Sequence, residues 1–216
     1  MKKKTIILTT ISCLVALIPM LIGLILWDKL PDQMATSFGF NGEINGYSSK
    51  FFAVVGLPLI LVSANILCIV IAMADPRRKN ISDSVLAIIL AIIPLCSIFA
   101  GALMYQEYLG YNISVSNFAP TFLGLLFVVI GLILPKCKQN YTVGIKVPWT
   151  LHSEDNWNKT HAFGGKLWVI GGAIMTVLGL LGFETTVFVG VFALAIAPMV
   201  YSYVYYRKNE RRKEND

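Results

Sequence analysis

Charged residues are scarce in this sequence. Only 14% of its 216 residues are Asp, Glu, Lys or Arg, whereas 56% are hydrophobic, and a soluble domain carries roughly 25% charged residues. The mean hydropathy is +0.68, and the charges fall in short clusters between long uncharged stretches. These features exclude an ordinary soluble domain and are typical of a chain that crosses a membrane several times.

Residues that commonly carry chemistry are also few. The chain has only two histidines, His152 and His161, and four cysteines, none at a metal-ligand spacing. Ser153 beside His152 does not indicate a catalytic triad, because triad residues converge from separate parts of a fold. We therefore expect no enzyme activity, no metal and no cofactor; an intramembrane enzyme that uses His161 is the least favoured alternative.

Six apolar stretches are long enough to cross a membrane, which takes about 20 residues of helix. Each is expected to be helical, because lipid offers no hydrogen-bond partner to an open strand. The predicted fold class is therefore all-α, a polytopic integral membrane protein with six transmembrane helices. The first stretch is too long for the apolar region of a signal peptide, so we expect it to be retained. The predicted spans are Thr5–Trp27, Phe51–Met73, Ser84–Tyr105, Phe118–Leu134, Leu167–Phe183 and Thr186–Tyr206.

The distribution of basic residues predicts the orientation. With the N-terminus inside, 16 of the 18 Lys and Arg lie on the inner side, and only Lys29 and Lys50 lie outside. The positive-inside rule then places both termini in the cytoplasm of a bacterial cell. The net charge of +6 is explained by contact with anionic membrane lipids, and we expect no direct binding of nucleic acid.

These predictions divide the chain into four segments. They are residues 1–50, the first span with a patterned outer loop; 51–134, spans two to four; 135–166, an amphipathic cytoplasmic loop; and 167–216, the last two spans with a basic tail.

The outer loop, residues 28–50, has more pattern than a simple connection needs. Asn41-Gly42 and Asn45-Gly46 are turn pairs, and Pro31 is expected to end the first helix or set a turn beyond it. Met34, Phe38 and Phe40 are too apolar for a freely solvated loop. They are expected to fold back on the helix ends as a cap, with an outward binding surface as the alternative.

The inner loop, residues 135–166, contains the start of a helix. Ser153 followed by two acidic residues is a favourable N-terminus, and Gly164-Gly165 predicts the end, which gives a short helix from about Glu154 to Phe163. Trp157, Thr160 and His161 share one face of it. The tryptophans and lysines of the loop are typical of a segment in the lipid headgroup zone.

Membrane transport is the main alternative function, as a small-molecule or lipid carrier. No Asp, Glu, Lys, Arg or His lies inside the six stretches, which argues against coupling to ions. Asn65, near Ser63, is the most polar mid-span residue. It either bridges two helices or lines a carrier site.

The inner loop resembles the SdpI family, membrane immunity proteins against a sporulation-delaying peptide toxin of Gram-positive bacteria. The outer loop looks like the small N-terminal module of unknown function that often accompanies that family, through Leu30-Pro31, Thr36, Phe38, Asn41, Gly42 and Lys50. The inner-loop resemblance rests on Pro135-Lys136, Lys138, Asn140, Gly144-Ile145-Lys146, Pro148-Trp149-Thr150-Leu151, Trp157, Thr160-His161 and Gly164-Gly165.

The resemblance implies two partners besides membrane lipids: a peptide toxin at the outer face and a transcriptional autorepressor, held at the membrane, at the inner face. The residues it implies for toxin binding are Pro31, Thr36, Phe38, Asn41, Gly42 and Lys50. Those for binding a partner or a headgroup are Lys136, Lys138, Asn140, Gly144, Lys146, Pro148, Trp149, Thr150, Trp157, Thr160 and His161.

Overall fold

Six long apolar helices make up most of the part of the chain that the structure describes. This computed structural model describes residues 2–39, 41–106, 108–111 and 113–209, so Phe40 and the end of the basic tail lie outside it. Six candidate spans occur within these residues, and the predicted fold class is confirmed. The orientation of the termini stays a prediction. The candidate spans are Lys3–Ile25, Phe52–Ala74, Asp83–Tyr105, Val115–Lys136, Glu154–Leu180 and Val187–Asn209.

The first span consists of two helices and the second begins with a π-helical turn, Phe52–Gly56. The first span is interrupted at Leu17, just before Pro19, which cannot donate a backbone hydrogen bond. The helices are α1 (Lys2–Ala16), α2 (Ile18–Ile25), α3 (Leu57–Ala74), α4 (Asp83–Tyr105), α5 (Val115–Ile133), α6 (Pro148–His152), α7 (Glu154–Leu180) and α8 (Glu184–Asn209).

Large aliphatic side chains are exposed along the spans. Ile25 is 83% exposed, Ile170 62% and Leu180 64%. Apolar exposure on this scale marks a surface that meets lipid rather than water.

The described residues form two compact units. One comes from Met1–Ile71 and Leu86–Ser116, the other from Ala72–Val85 and Asn117–Asp216. Within the first unit, Asn65 is fully buried and its Nδ2 donates to Ser12 Oγ at 2.5 Å. Ser12 in turn donates to the carbonyl of Leu90. Asn65 therefore bridges helices, one of the two interpretations that the sequence allowed.

The first unit also contains a β-hairpin that the sequence analysis missed. Strands β1 (Gln33–Phe38) and β2 (Ile44–Ser49) pair antiparallel with register shifts, and the hydroxyls of Thr36 and Ser48 lie 2.7 Å apart across them. Gly42 forms the turn at φ +81°, as the Asn41-Gly42 pair predicted. The turn predicted at Asn45-Gly46 is wrong, because both residues lie within β2.

The hairpin packs its apolar side chains on its own unit. Met34 is only 2% exposed and belongs to a buried cluster with Leu30, Val54 and Tyr105, which confirms that it folds back. Phe38 is half-buried. The prediction for Phe40 lies outside the described residues.

Helix α7 runs without a break through Gly164 and Gly165, so the prediction that this pair ends a short helix is wrong. A glycine terminates a helix by adopting a positive φ, and neither residue does so. A Cβ on Gly165 would lie 2.5 Å from Pro135 Cγ and 2.8 Å from the carbonyl oxygen of Gly131. The pair is therefore a close-packing surface in the middle of one long helix.

Candidate functional site

Loop 137–153 packs on the first two turns of α7 in the second unit. The indole Nε1 of Trp157 donates to the carbonyl of Cys137 at 2.7 Å. The backbone N–H of Ile145 donates to Nε2 of His161 at 3.0 Å. The rings of Trp157 and His161 stack with centroids 4.0 Å apart, and both side chains are at most 1% exposed. These two residues hold the loop rather than present a surface.

The hydrogen bonds of His161 fix its tautomer. Nδ1 lies 2.8 Å from the carbonyl of Trp157 and must carry the proton, because a carbonyl only accepts. Nε2 must then be the acceptor that the Ile145 N–H requires. The imidazole is therefore neutral, with no lone pair left for a metal or for a substrate proton.

Gly144 allows the loop to approach the two rings. Its φ is +125°, and a Cβ there would collide with Nε2 of His161 and lie 2.9 Å from Cζ2 of Trp157. Only glycine fits both the backbone conformation and the space.

Thr150 closes the loop on itself. Its hydroxyl accepts from the backbone N–H of Val147 at 3.0 Å and lies 2.8 Å from the carbonyl of Ile145. The side-chain amide of Gln139 donates to the carbonyls of Thr150, at 2.7 Å, and of Leu151, at 3.0 Å. Thr150 is fully buried, so it acts inside the loop.

Asn140 shapes the turn at residues 140–143. Its Oδ1 accepts from the backbone N–H of Thr142 at 2.9 Å and of Val143 at 2.6 Å. Its Nδ2 donates to the carbonyl of Lys138 at 2.8 Å. With 1% exposure, Asn140 is also a structural residue.

Asp75, just after α3, anchors the same turn. Its Oδ2 accepts from the backbone N–H of Tyr141 at 2.9 Å and from the hydroxyl of Thr142 at 2.6 Å. Burial alone would raise the pKa of Asp75, but hydrogen bonds from the Thr142 hydroxyl and three backbone N–H groups outweigh it and hold the pKa below its ordinary value of 3.8. The carboxylate is therefore kept charged as a fixed acceptor.

Gln139 joins the loop to the turn between α3 and α4. Its Oε1 accepts from the guanidinium of Arg77, and its backbone carbonyl accepts from Nδ2 of Asn80 at 2.6 Å. Arg77 also lies over the ring of Tyr141, 4.9 Å from the centroid. The loop is thus tied to two separate parts of the second unit.

The buried side-chain amide of Asn156 connects α7 to α8 beside the loop by hydrogen bonds. Oδ1 of Asn156 accepts from the hydroxyl of Thr160, at 3.0 Å, and from that of Ser202, at 2.7 Å. All three side chains are fully buried. Thr160 therefore joins Trp157, His161, Asn140 and Thr150 as an internal residue.

Cys137 begins the loop as a buried free thiol with 4% exposure. Burial raises the pKa of Cys137 to about 11. It is therefore an unreactive thiol at neutral pH.

The exposed part of the predicted inner site is small. Lys136, Lys138, Lys146 and Pro148 are exposed, and Trp149 is partly exposed. Trp149 packs on α8 with ring centroids 5.2 Å from Tyr203 and 6.4 Å from Tyr206. A cleft of about 330 Å³ lies here, lined by Pro148, Trp149, His152 and Tyr206.

Most of the predicted outer site is likewise structural. Lys50 donates to the carbonyl of Trp27 at 3.3 Å and lies 3.6 Å from Asp32, while Asn41 Oδ1 accepts from the backbone N–H of Glu43 at 3.2 Å. Pro31 is exposed, beyond the strands. Of the six predicted residues, Phe38 lines a cleft of about 170 Å³. The other lining residues are Gln33, Met34, Ala35, Ile44, Tyr47, Leu103, Met104, Gln106 and Tyr108.

Several residues of the site were missed by sequence reasoning. Asp75, Arg77 and Gln139 lie next to predicted span ends, where polar residues are ordinarily solvated. Asn156 and Ser202 lie 46 positions apart. Nothing in the local sequence distinguishes such residues from solvated ones, because their partners are distant along the chain.

These helices and the loop packed at their ends define a multi-pass membrane protein. Residues 136–202 match the SdpI/YfhL protein family, and residues 14–62 match a domain of unknown function, DUF1648. The chain is 22% identical over 213 residues to the immunity protein SdpI of Bacillus subtilis (strain 168), covering 95% of this chain and 97% of that protein. No solved structure matches it. The resemblance to the SdpI family is thereby confirmed, and the chain is a multi-pass protein of the bacterial membrane.

Proposed function

We propose that this chain is a membrane immunity protein that protects its host from a secreted antimicrobial peptide. The observation that carries the proposal is the similarity to an immunity protein over nearly the whole of both chains. The described geometry supports a binding role over the alternatives. Asn65 is engaged in a helix bridge, which disfavours a carrier site there, and both nitrogens of His161 are used by the backbone, which disfavours catalysis.

We infer that the toxin contacts the hairpin cleft of the first unit. Phe38, Tyr47 and Tyr108 line it together with Leu103 and Met104 at the end of α4. A concave surface with aromatic and aliphatic walls suits the apolar side chains of a membrane-active peptide. Tyr47 is the most accessible of these aromatic anchors, with 61% exposure.

The test is expression of this chain in a B. subtilis strain that lacks SdpI, followed by challenge with the sporulation-delaying peptide. Protection by the native chain is expected, and Tyr47→Ala should lower the toxin concentration that the cells survive. Tyr111→Ala is the matched control, because Tyr111 is similarly exposed, at 65%, but is not among the residues that line the cleft. Sensitivity of cells that carry correctly inserted native chain would refute immunity against this peptide.

A second role, as a receptor that holds a transcriptional repressor at the membrane, is supported by the exposed lysines of the other unit. Lys136, just before loop 137–153, and Lys138 within it are exposed, and the hydrogen bonds of Asn140 and Gln139 keep that stretch ordered. A fixed basic surface suits an acidic protein partner.

A repressor fused to a fluorescent protein tests this role in cells exposed to toxin. The double variant Lys136→Gln/Lys138→Gln should release the repressor from the membrane, whereas Lys29→Gln, in the other unit, should not. Equal membrane localisation with both variants would contradict the receptor role and leave the immunity proposal untouched.

A further inference from the structure

The ends of α7 and α8 beside loop 137–153 extend past the apolar layer. The helices have 27 and 26 residues, about 40 Å each at 1.5 Å per residue, whereas the hydrocarbon core is about 30 Å thick. Lys159 lies in the second turn of α7 and Arg207 in the last turn of α8, and charged residues avoid the core. The start of α7 and the end of α8 therefore lie at the depth of the lipid headgroups.

The Trp149 cleft, lined by Pro148, Trp149, His152 and Tyr206, lies at this depth. One wall is aromatic, because the Trp149 ring stacks on Tyr206 with 6.4 Å between the centroids and an angle of 21° between the planes. Tryptophan and tyrosine are the side chains typical of the membrane interface.

Trp149, which lines the cleft, carries a buried hydrogen-bond donor that lacks an acceptor. Among the described residues, Nε1 of Trp149 is buried and has no hydrogen-bond partner. The indoles of Trp157 and Trp168 both donate to backbone carbonyls at 2.7 Å. A buried donor is normally satisfied, so this indole N–H needs an acceptor that the described residues do not supply.

Charges of both signs lie near the cleft, and the cation lies on the side of its aromatic wall. The guanidinium of Arg207 lies 6.0 Å from the ring of Tyr203, which itself contacts Trp149. The carboxylate of Asp155 accepts from the hydroxyl of Tyr205, and Glu154 is exposed at the start of α7. A guanidinium such as that of Arg207 binds a phosphate with a planar fork of donors.

We propose that the Trp149 cleft binds the phosphate of an anionic phospholipid headgroup, with the indole N–H of Trp149 and the guanidinium of Arg207 as donors. The lipid source is favoured over a protein partner because the cleft is small and lies at headgroup depth. This binding does not depend on the immunity role, so either proposal can fail alone.

Native mass spectrometry of the full chain in detergent tests the proposal, with phosphatidylglycerol and phosphatidylcholine of identical acyl chains as probes. The native chain should retain phosphatidylglycerol preferentially. Trp149→Phe keeps the aromatic body and removes the donor, so it should weaken that retention about tenfold, as expected for one hydrogen bond to a charged group. Trp168→Phe, whose indole is satisfied by Leu194, is the control and should leave it unchanged.

A second pair of variants keeps the test decisive if Trp149→Phe lowers the yield of folded protein. Arg207→Gln should weaken phosphatidylglycerol retention, whereas Lys208→Gln, with the same loss of charge on another face of α8, should not. Equal retention of the two lipids, or no difference within either pair, would overturn the proposal. Two other results would also overturn the proposal. One is displacement of the lipid by millimolar inorganic phosphate. The other is binding of a repressor without lipid, if Trp149→Phe abolishes that binding.

Discussion

His161 and Ile145 are joined by a hydrogen bond in which the buried backbone N–H of Ile145 donates to Nε2 of the imidazole at 3.0 Å. The bond connects residues 16 positions apart and holds the middle of loop 137–153 on α7. The two exposed surfaces of the loop, the Lys136/Lys138 stretch and the Trp149 cleft, depend on this internal support.

Replacing the imidazole should therefore destabilise the loop. His161→Phe preserves a ring that can stack on Trp157 but leaves the Ile145 N–H without an acceptor, at a cost of about 1–3 kcal/mol. The expected result is a lower thermal unfolding temperature of the purified protein in detergent. His152→Phe, at an exposed position, is the control and should change it little; equal effects of the two variants would contradict the structural role of His161.

Gly144 provides a second test, because it can be compared with Gly110, a second glycine at positive φ that is not crowded by side chains among the described residues. Gly144→Ala and Gly110→Ala both place a Cβ at positive φ, +125° and +76°; the left-handed region near Gly110 costs about 1–2 kcal/mol, and the Gly144 conformation, farther from that region, costs at least as much. Among the described residues nothing lies within 4 Å of a Cβ added at Gly110, whereas a Cβ at Gly144 faces two rings. Gly144→Ala should lose a further 1–3 kcal/mol, roughly the cost of overpacking. Comparable losses of unfolding free energy in the two variants, measured by thermal or denaturant unfolding, would contradict the close fit of Gly144 against the rings of Trp157 and His161.

The helices could be predicted from the sequence because hydropathy is a local property. The predicted span Phe51–Met73 differs by one residue at each end from the observed Phe52–Ala74, and the Ser153 cap accepts from the backbone N–H of Asn156 as expected. Each of these features is decided by residues within a few positions of one another.

The site could not be predicted in the same way, because distant partners decide it. Trp157 and His161 were expected on an accessible helix face, yet loop 137–153 buries them. Gly165 was expected to end that helix, but contact with Pro135 and Gly131 keeps it helical. The hairpin was missed because β1 is rich in polar residues and the turn residues Asn45-Gly46 lie inside β2.

Asp75 should stabilise the second unit in a pH-dependent manner. Because hydrogen bonds hold its pKa below 3.8, its contribution is fully present above that ordinary value and is lost as the pH falls through the lower, folded-state pKa. Asp75→Asn replaces one acceptor oxygen by a donor, so it should lower stability by about 1–3 kcal/mol at neutral pH. Thermal unfolding of the variant and of the native chain should be measured from pH 8 to pH 3. The difference between their unfolding temperatures should be constant above pH 5 and should shrink only below pH 4. A difference that varies between pH 6 and pH 8 would point to another group.

Cys137 should report opening of loop 137–153. With a pKa of about 11 instead of the ordinary 9.0, its thiolate fraction at pH 8 is about a hundredfold lower than that of a solvated thiol. In a background with Cys13, Cys68 and Cys96 replaced by alanine, maleimide labelling should be slow and its rate should keep rising with pH beyond 9. Deprotonation above pH 9 should also weaken the folded loop, because the raised pKa favours the neutral thiol. A rate that levels off near pH 9 would mean that the thiol is solvated.

The orientation in the membrane can be tested at two exposed positions. With the N-terminus inside, the hairpin faces outward and loop 137–153 faces the cytoplasm, as the basic residues predict. Both Asn45 and His152 are exposed, so cysteines there can react, whereas Trp157 is fully buried and would be silent on either side. An impermeant maleimide should label Asn45→Cys in intact cells and His152→Cys only after permeabilisation, in a background without native cysteines. Labelling of His152→Cys in intact cells would reverse the topology, and with it the assignment of the toxin to the hairpin and of the repressor to the loop.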